Sequence, residues 1–300
     1  MSALPPILEL PSLPADDRLR SVLDAALRAA GRPPPPRAPR SDVWDPAFFG
    51  LDRTTAWRGA TPVQRAEILS LAGRGLLEEA WYVEQCGVAY ASTMALRATN
   101  TEERALYALF SADEARHLFA IEGWLADAPI GPPSPFHHLL VSVLEQASTL
   151  GAVLVVQVLL EGWGLRHYRD LAVACNETAL TPILDGIVQD ETRHHGSGVI
   201  LLSQRALDPA DQPAVIGLLS HFLTMVRAGP QGTLSAIDQV LGPLTRGDRV
   251  TTLRELDTER HAASRLAVLH SLLQQRHAAP VREALEGLGM FTPLTAEQAA

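Results

Sequence analysis

The sequence predicts an all-α protein built around an antiparallel four-helix bundle, with extra helices near its C-terminus. Apolar residues recur at helical spacing from residue 61 onwards, and four of the resulting segments are long. The link between the first two segments is very short, so these neighbours should lie antiparallel. No run of alternating apolar and polar residues is long enough to indicate a strand.

Residues 1–40 are interpreted as an appendage to the bundle. Asp16–Ala30 predicts a short amphipathic helix that ends at Gly31. Pro33–Pro36 predicts a stiff polyproline linker. Residues 41–60 have an irregular pattern, and we expect their aromatic side chains to pack on the core. These are Trp44, Phe48, Phe49 and Trp57.

Capping residues mark the first pair of long helices. Thr61 and Gln64 form a capping box that predicts a helix over residues 61–99. Asn100, with Glu103 three residues later, predicts the start of the second helix, which ends before a proline-rich cluster.

The second pair of long helices is predicted over residues 134–175 and 181–207, each opening with a hydroxyl residue followed by proline. The third helix is apolar almost all round over residues 150–160, which places it in the bundle centre. Glu161 follows directly, and a carboxylate there is costly unless it is paired, protonated or bound to a metal. Further helices are expected from Asp208 and around 232–241, 251–275 and 280–289.

We therefore expect three regions along the chain. Residues 1–40 form an N-terminal helix and proline-rich linker, residues 41–207 the bundle, and residues 208–300 accessory helices packed on it. The sequence leaves open whether these last helices form a lid or a homodimer interface.

Composition narrows the class of protein. The formal net charge of −9 over 300 residues disfavours a nucleic acid or an anionic membrane as the main partner. No uncharged stretch free of proline approaches the roughly 20 residues that a bilayer requires, and no basic region precedes the first apolar residues. Two cysteines fit a reducing compartment. The prediction is a cytoplasmic protein without a membrane or nucleic-acid partner.

Two pentapeptides, at residues 113–117 and 190–194, share the form D-E-x-R-H. On a helix, residues three apart lie on one face, so each Glu and its His can bind the same ion. Another glutamate lies 30 residues before the Glu of each motif, so the pattern of a half-bundle occurs twice. The predicted metal ligands are Glu84, Glu114, His117, Glu161, Glu191 and His194.

Four glutamates and two histidines that project inward from four helices are the ligand set of a di-iron or di-manganese carboxylate site. Carboxylates can bridge two cations, and neutral imidazole binds Fe(II) without adding charge. The four carboxylates carry four negative charges, which two divalent ions balance. We therefore expect two Fe ions, with an Mn/Fe pair as the open alternative.

These residues also allow other interpretations. A single D-E-x-R-H motif on a helix more often forms surface salt bridges, and residues 257–261 have their Glu and His two apart, as expected of a solvated face. His195, four residues after Glu191, competes with His194 as a ligand. The parallel with the first motif, which has Leu118 at the corresponding position, favours His194.

The ligand set resembles the ferritin-like di-iron carboxylate superfamily, and the repeated D-E-x-R-H motif is similar to that of the bacterial multicomponent monooxygenase hydroxylases. The resemblance covers about residues 61–207. It implies that Asp113 and Asp190 accept hydrogen bonds from the non-ligating nitrogens of the histidines. It also implies that Arg116 and Arg193 hold these aspartates in place.

The sequence also departs from several members of this superfamily. Ferritin-type iron stores usually carry one E-x-x-H motif, whereas this chain has two. Rubrerythrin-like peroxidases have a glutamate where this chain has Gly164, and usually a four-cysteine module. Monooxygenase hydroxylases usually have a threonine where this chain has Leu165.

The resemblance implies a non-haem di-iron oxygenase or oxidase, of monooxygenase type, that uses O2 as co-substrate and acts on a small, fairly apolar organic molecule. The sequence contains no flavin, haem or iron–sulfur motif, so electrons would come from an external ferredoxin or reductase. Gly87, Gly162 and Gly164 would either leave room beside the metals or allow close helix packing. The alternatives are a ferritin-like ferroxidase or peroxide-detoxifying protein, and a structural bundle without metal.

Overall fold

The structure is a computed structural model that describes residues 13–14, 16–33, 43–125, 131 and 134–300. Within this part of the chain all regular structure is helical, apart from one isolated bridge between Trp44 and Cys175, which confirms the predicted all-α class. The chain divides into two compact units. The first comprises Met1–Ala38 with Leu77–Thr149, and the second Pro39–Leu76 with Leu150–Ala300.

The α-helices are numbered in chain order, and a π-helix lies between α6 and α7. They are α1 Arg18–Ala29, α2 Thr55–Gly59, α3 Pro62–Arg97, α4 Thr101–Glu122, α5 Pro135–Gln146, α6 Thr149–Ala152, the π-helix Val153–Glu161, α7 Gly162–Ala174, α8 Thr181–Gln204, α9 Gln212–Arg227, α10 Gln231–Leu241, α11 Arg246–Glu255, α12 Thr258–Leu272, α13 Ala279–Gly287 and α14 Ala296–Ala299.

The N-terminal helix is confirmed as α1, which Asp17 caps by accepting a hydrogen bond from the backbone N–H of Leu19. The chain leaves it at Gly31, whose φ of +89° lies in the left-handed region that favours glycine. Most of the polyproline prediction, at Pro34–Pro36, falls outside the described residues.

An antiparallel pair, α4 and the part of α3 from Leu77 on, forms the centre of the first unit. The predicted capping residue Asn100 opens α4, where its side chain accepts a hydrogen bond of 2.8 Å from the N–H of Glu103. The hydroxyls of Ser92 and Ser111 lie 3.0 Å apart across the pair. The predicted start of α4 is confirmed, and α3 ends at Arg97, two residues before the predicted end.

The predicted third helix, over residues 134–175, is wrong as a single α-helix. The chain leaves the helical conformation after α5, because Ala147 has extended backbone angles and its carbonyl accepts a hydrogen bond from Arg97. Helix then resumes as α6, changes to the π-helix, and continues as α7. In the second unit, the π-helix and α7 pack along α8, which confirms the fourth predicted helix to within three residues of its end.

The π-helix is the most apolar part of the described chain, and seven of its nine residues are buried, as expected for residues 150–160. The helical stretch Thr149–Ala174 is long and apolar enough to span a bilayer, although half of its most apolar window is buried within the protein. One such stretch is weak support for a membrane protein, because a buried core helix has the same properties. The cytoplasmic location remains a prediction.

The C-terminal region differs from expectation at one point. The helix predicted over 251–275 is two helices, α11 and α12, because Asp257 adopts a left-handed conformation with φ 54° between them. The hydroxyl of Thr258 donates a 2.6 Å hydrogen bond to the carbonyl of Leu253, which holds this turn. The helices predicted around 232–241 and 280–289 are confirmed as α10 and α13.

The aromatic residues of 41–60 do not all pack inside. Trp44 is 1% exposed and its indole N–H donates to the carbonyl of Leu171 at 3.0 Å, and Trp57 is also buried. Phe49 is partly buried. Phe48 is 36% exposed, so it packs on the core from outside rather than within it. The Phe48 ring stacks on that of Trp44, with centroids 6.1 Å apart.

A buried histidine in the first unit makes stability depend on pH. His137 is buried, and its Nδ1 accepts a 2.8 Å hydrogen bond from the N–H of Ser134, closing the capping box of α5. Burial is the largest cause that lowers the pKa of His137 to about 4, below its ordinary value of 6.5. The unfolded chain therefore binds more protons between these two values, and stability falls as the pH drops from 6.5 towards 4.

We predict that His137→Gln flattens this dependence. Glutamine can complete the same capping box but does not titrate. Wild-type protein should lose about 3 kcal/mol more free energy of unfolding than the variant between pH 7 and pH 4. Urea unfolding across this range measures the difference. Equal pH dependence in the two proteins would show that His137 contributes nothing to it.

Candidate metal centre

Three predicted ligands come together in the first unit. Glu84 projects from α3, and Glu114 and His117 from α4, with exposed fractions of only 1%, 5% and 4%. One ligand atom from each lies within 4.8 Å of the other two. The Nδ1 atom of His117 is 3.1 Å from Oε2 of Glu84. We call these three residues the first triad.

Helix geometry explains this convergence. Glu84 lies 16 residues before the cap at Asn100 and Glu114 lies 14 after it, so two antiparallel helices return both side chains to the same level. His117 lies one turn beyond Glu114 on the same face of α4. The first D-E-x-R-H motif and its upstream glutamate thus behave as the spacing predicts.

Gly87 allows the carboxylate of Glu114 to pack closely against α3. It lies one turn after Glu84 on α3, and a Cβ atom at this position would be 2.2 Å from Oε2 of Glu114. Any other residue would therefore displace that carboxylate. Gly87 was expected either to leave room beside the metals or to allow close packing. The structure favours close packing, and the group that packs against Gly87 is the carboxylate of the predicted ligand Glu114.

The other three predicted ligands come together in the second unit. Glu161 is the last residue of the π-helix, and Glu191 and His194 project from α8. One ligand atom from each again lies within 4.8 Å of the others, and His194 Nδ1 is 3.6 Å from Glu191 Oε1. Glu191 and His194 are buried and Glu161 is partly buried. These residues form the second triad.

Glycines beside the second triad have different surroundings. A Cβ at Gly162 would lie 2.8 Å from the ring of His195 and 2.9 Å from Leu272, so close packing requires glycine there. A Cβ at Gly164 would meet no atom within 4 Å, so packing does not explain that glycine.

The aspartates of both motifs are held by the arginines of the same motifs, three residues later. Arg116 Nη2 is 3.1 Å from Asp113 Oδ1, and Arg193 forms the corresponding ion pair with Asp190. Arg116 also reaches the carbonyl of Ala30 at the end of α1. The further role of the aspartates, orienting the ligand histidines, remains a prediction.

The competing interpretations are resolved by burial and by contacts. His195 is not part of the second triad, because neither of its ring nitrogens is among the atoms that lie within ligand distance of one another. Its Nδ1 donates a 2.9 Å hydrogen bond to the carbonyl of Gln157. In the motif-like segment 257–261, the side chains of residues 259–261 are exposed and Arg260 pairs with Asp257, so the Glu and His of this segment are solvated, as expected.

Other residues near the motifs are packing residues. Burial, followed by the charge of Glu114, raises the pKa of Cys86 to about 12, so its thiol stays neutral and behaves as a small buried hydrophobe. Tyr107 and Tyr168 are buried in the core.

Gln157 belongs to no motif in the sequence, yet it lies close to the second triad. This residue is fully buried, and its side chain reaches α8 beside His194. The available signal was its position as the one polar residue among the apolar residues 152–160.

The donor set of each triad suits a transition-metal ion. Two carboxylates and one imidazole combine hard oxygen ligands with a nitrogen ligand, which fits Fe(II) or Mn(II). Without a cation, two carboxylates whose ligand atoms lie within 4.8 Å would repel by about 3 kcal/mol or more at an effective dielectric constant of about 20, in addition to the cost of burial. Each buried Glu/His group could therefore bind a metal ion.

Comparisons of the chain with family models, curated proteins and solved structures give no match. The likeness to ferritin-like proteins therefore depends on the repeated motif and on the two triads. What the structure establishes directly is a helical protein whose buried carboxylate and imidazole groups lie within ligand distance of one another.

We predict that Gly87→Ala weakens metal binding at the first triad by at least tenfold, because its methyl group would occupy the place of the Glu114 carboxylate. The matched control is Gly75→Ala on the same helix, where a Cβ meets no atom within 4 Å. The control should keep wild-type affinity and gain up to about 1 kcal/mol of stability. Anaerobic Fe(II) titration measures both variants, and equal affinity in the two would contradict the prediction.

Proposed function

We propose that this protein is a non-haem di-iron oxidoreductase, an O2-dependent oxygenase or oxidase that acts on a small, fairly apolar organic molecule. The observation that carries the proposal is the pair of triads, each with two glutamates and one histidine, in which every side chain is buried except that of Glu161, which is partly buried. We further propose that the six residues hold both ions in one dinuclear centre of a ferritin-like four-helix bundle.

Charge and ligand number support two ions rather than one. Four carboxylates carry four negative charges, which two divalent cations neutralise. A single ion would leave a net negative charge among buried groups such as Glu84 and Glu191, and that is costly in a low-dielectric interior. The duplicated motif supplies one Glu and one His for each ion.

The residues of the chain would bind and orient the metals and keep water away from them. When bound, two iron ions would supply the electron transfer and O2 binding that side chains alone cannot provide. The Arg116–Asp113 and Arg193–Asp190 pairs lie on the ligand helices, where they can fix ring orientation. The π-helix that ends at Glu161 is otherwise apolar and mostly buried, which suits an apolar substrate.

The electron source would be another protein. Insertion of one oxygen atom from O2 into a substrate consumes two electrons and two protons and releases water. The chain has two cysteines, which are too few for an iron–sulfur cluster with four thiolate ligands. A ferredoxin or a reductase is therefore part of the proposal.

The first experiment is metal stoichiometry. We expect wild-type protein reconstituted anaerobically with Fe(II) to bind about two irons per chain, and a Glu114→Ala, Glu191→Ala double variant to lose most of both. Glu259→Ala is the matched control, because Glu259 belongs to the exposed motif-like segment. Circular dichroism checks that all three proteins are folded. Folded wild-type protein without bound iron would refute the di-iron centre.

The second experiment separates the proposed oxygenase from the ferritin-like alternatives. We expect O2 consumption by the reduced di-iron protein to depend on an organic substrate, with product formed in proportion to the O2 consumed. Equal O2 consumption without any substrate, with iron oxidised and retained in excess of two per chain, would favour a ferroxidase. Rapid turnover of hydrogen peroxide instead would favour a peroxide-detoxifying protein.

A further inference from the structure

The position of Glu161 depends on an unusual backbone. The π-helix Val153–Glu161 is nine residues long, whereas π-helices in proteins are mostly single turns. Each π turn contains more residues than an α turn, so the π-helix changes the direction in which its last residue points. Because this backbone geometry is less favourable than an α-helix, contacts with neighbouring elements must stabilise it.

The side chain of Gln157 connects the π-helix to α8. Its Nε2 donates hydrogen bonds of 3.0 Å to the backbone carbonyl of His194 and 3.0 Å to the hydroxyl of Ser197. The Ser197 hydroxyl in turn donates to the same His194 carbonyl at 2.8 Å. Gln157 is fully buried, so these bonds form away from water, where loss of a partner is expensive.

The backbone of Gln157 is held as well. Its carbonyl accepts the 2.9 Å hydrogen bond from Nδ1 of His195, so the residues on either side of the 194–195 peptide bond both contact Gln157. Gly198 permits this approach, because a Cβ there would lie only 2.5 Å from Cβ of Gln157. We call these contacts of Gln157 with α8 the Gln157 clamp.

We propose that Gln157 is a positioning residue: the Gln157 clamp holds the π-helix in register with α8, and so sets Glu161 against Glu191 and His194. Gln157 lies four residues before Glu161 on one element and contacts the backbone of His194 on the other. It therefore connects the two elements that supply the second triad. This proposal rests on the proposed metal function in the experiments that measure iron binding, and it does not rest on it in the hydrogen-exchange experiment.

The test replaces Gln157 by methionine, which keeps its length and volume but cannot donate a hydrogen bond. The His194 carbonyl keeps its bond from Ser197, so the variant should still fold. The matched control is Gln239→Met, since Gln239 is an exposed helical glutamine that donates to Ser235 at 3.1 Å. Each protein is titrated anaerobically with 57Fe(II) and examined by Mössbauer spectroscopy.

We expect Gln157→Met to bind one iron as the wild type does and the other 10- to 100-fold more weakly, the usual effect of losing a residue that supports a ligand. One of the two ferrous signals should then disappear at limiting iron. Wild-type affinity for both irons in this variant would overturn the proposal. So would an equal loss in the Gln239→Met control.

A second variant tests the proposal if Gln157→Met does not fold. Ser197→Ala removes one acceptor of the Gln157 side chain, and should weaken the same iron by a smaller factor. If Gln157→Met does not fold, unchanged iron binding in Ser197→Ala overturns the proposal.

Hydrogen exchange of the metal-free proteins tests the clamp without iron. We expect at least tenfold faster exchange over residues 153–162 in Gln157→Met than in wild type. If wild-type protein binds no iron, the proposed function fails. In that case unchanged exchange in the variant would overturn the clamp as well.

Discussion

The burial of like-charged groups is the constraint on which the rest of this structure depends. Each triad places two glutamates inside a helical protein, within ligand distance of one another and of a histidine. Such an arrangement is unfavourable on electrostatic grounds unless cations are bound or protons are taken up. The surrounding structure is therefore best understood as what is needed to keep these groups in place.

The helices around the triads contain several features of low intrinsic stability. Glycine in a helix interior costs about 1 kcal/mol relative to alanine, yet Gly87 and Gly198 lie in α3 and α8. Each fits against a side chain that could not otherwise be there, Glu114 in one case and Gln157 in the other. At both positions glycine lowers the helix propensity but allows a side chain to approach the helix backbone closely. Such exceptions to local propensity are typical of functional sites.

Much of this could be predicted from the sequence because it depends on local rules. The cap at Asn100 and the capping box at Thr61 fix helix ends through contacts within three residues. The spacing of Glu114 and His117 fixes a shared helix face. Once two long helices are joined by a short link, the position of Glu84 relative to them follows from helical rise alone.

The features that could not be predicted depend on distant contacts. The break after α5 leaves a carbonyl for Arg97, 50 residues earlier in the chain. The exposure of Phe48 and the left-handed turn at Asp257 have no periodic signal in the sequence. In the sequence, the π-helix is an apolar segment without a pattern that distinguishes it from an α-helix. The role of Gln157 follows only from its contact with α8.

The π-helix also bears on how the chain could have arisen. A π turn is what an α-helix forms when it accommodates an inserted residue without disturbing the helices that flank it. If an ancestor was α-helical throughout, a residue was gained within 153–161, and the wider π turns absorbed it, so that the side chains after the π-helix kept their orientation. An alignment of this chain with an α-helical homologue would then need a one-residue gap before Glu161. Without that gap, the glutamate would be paired with the wrong residue.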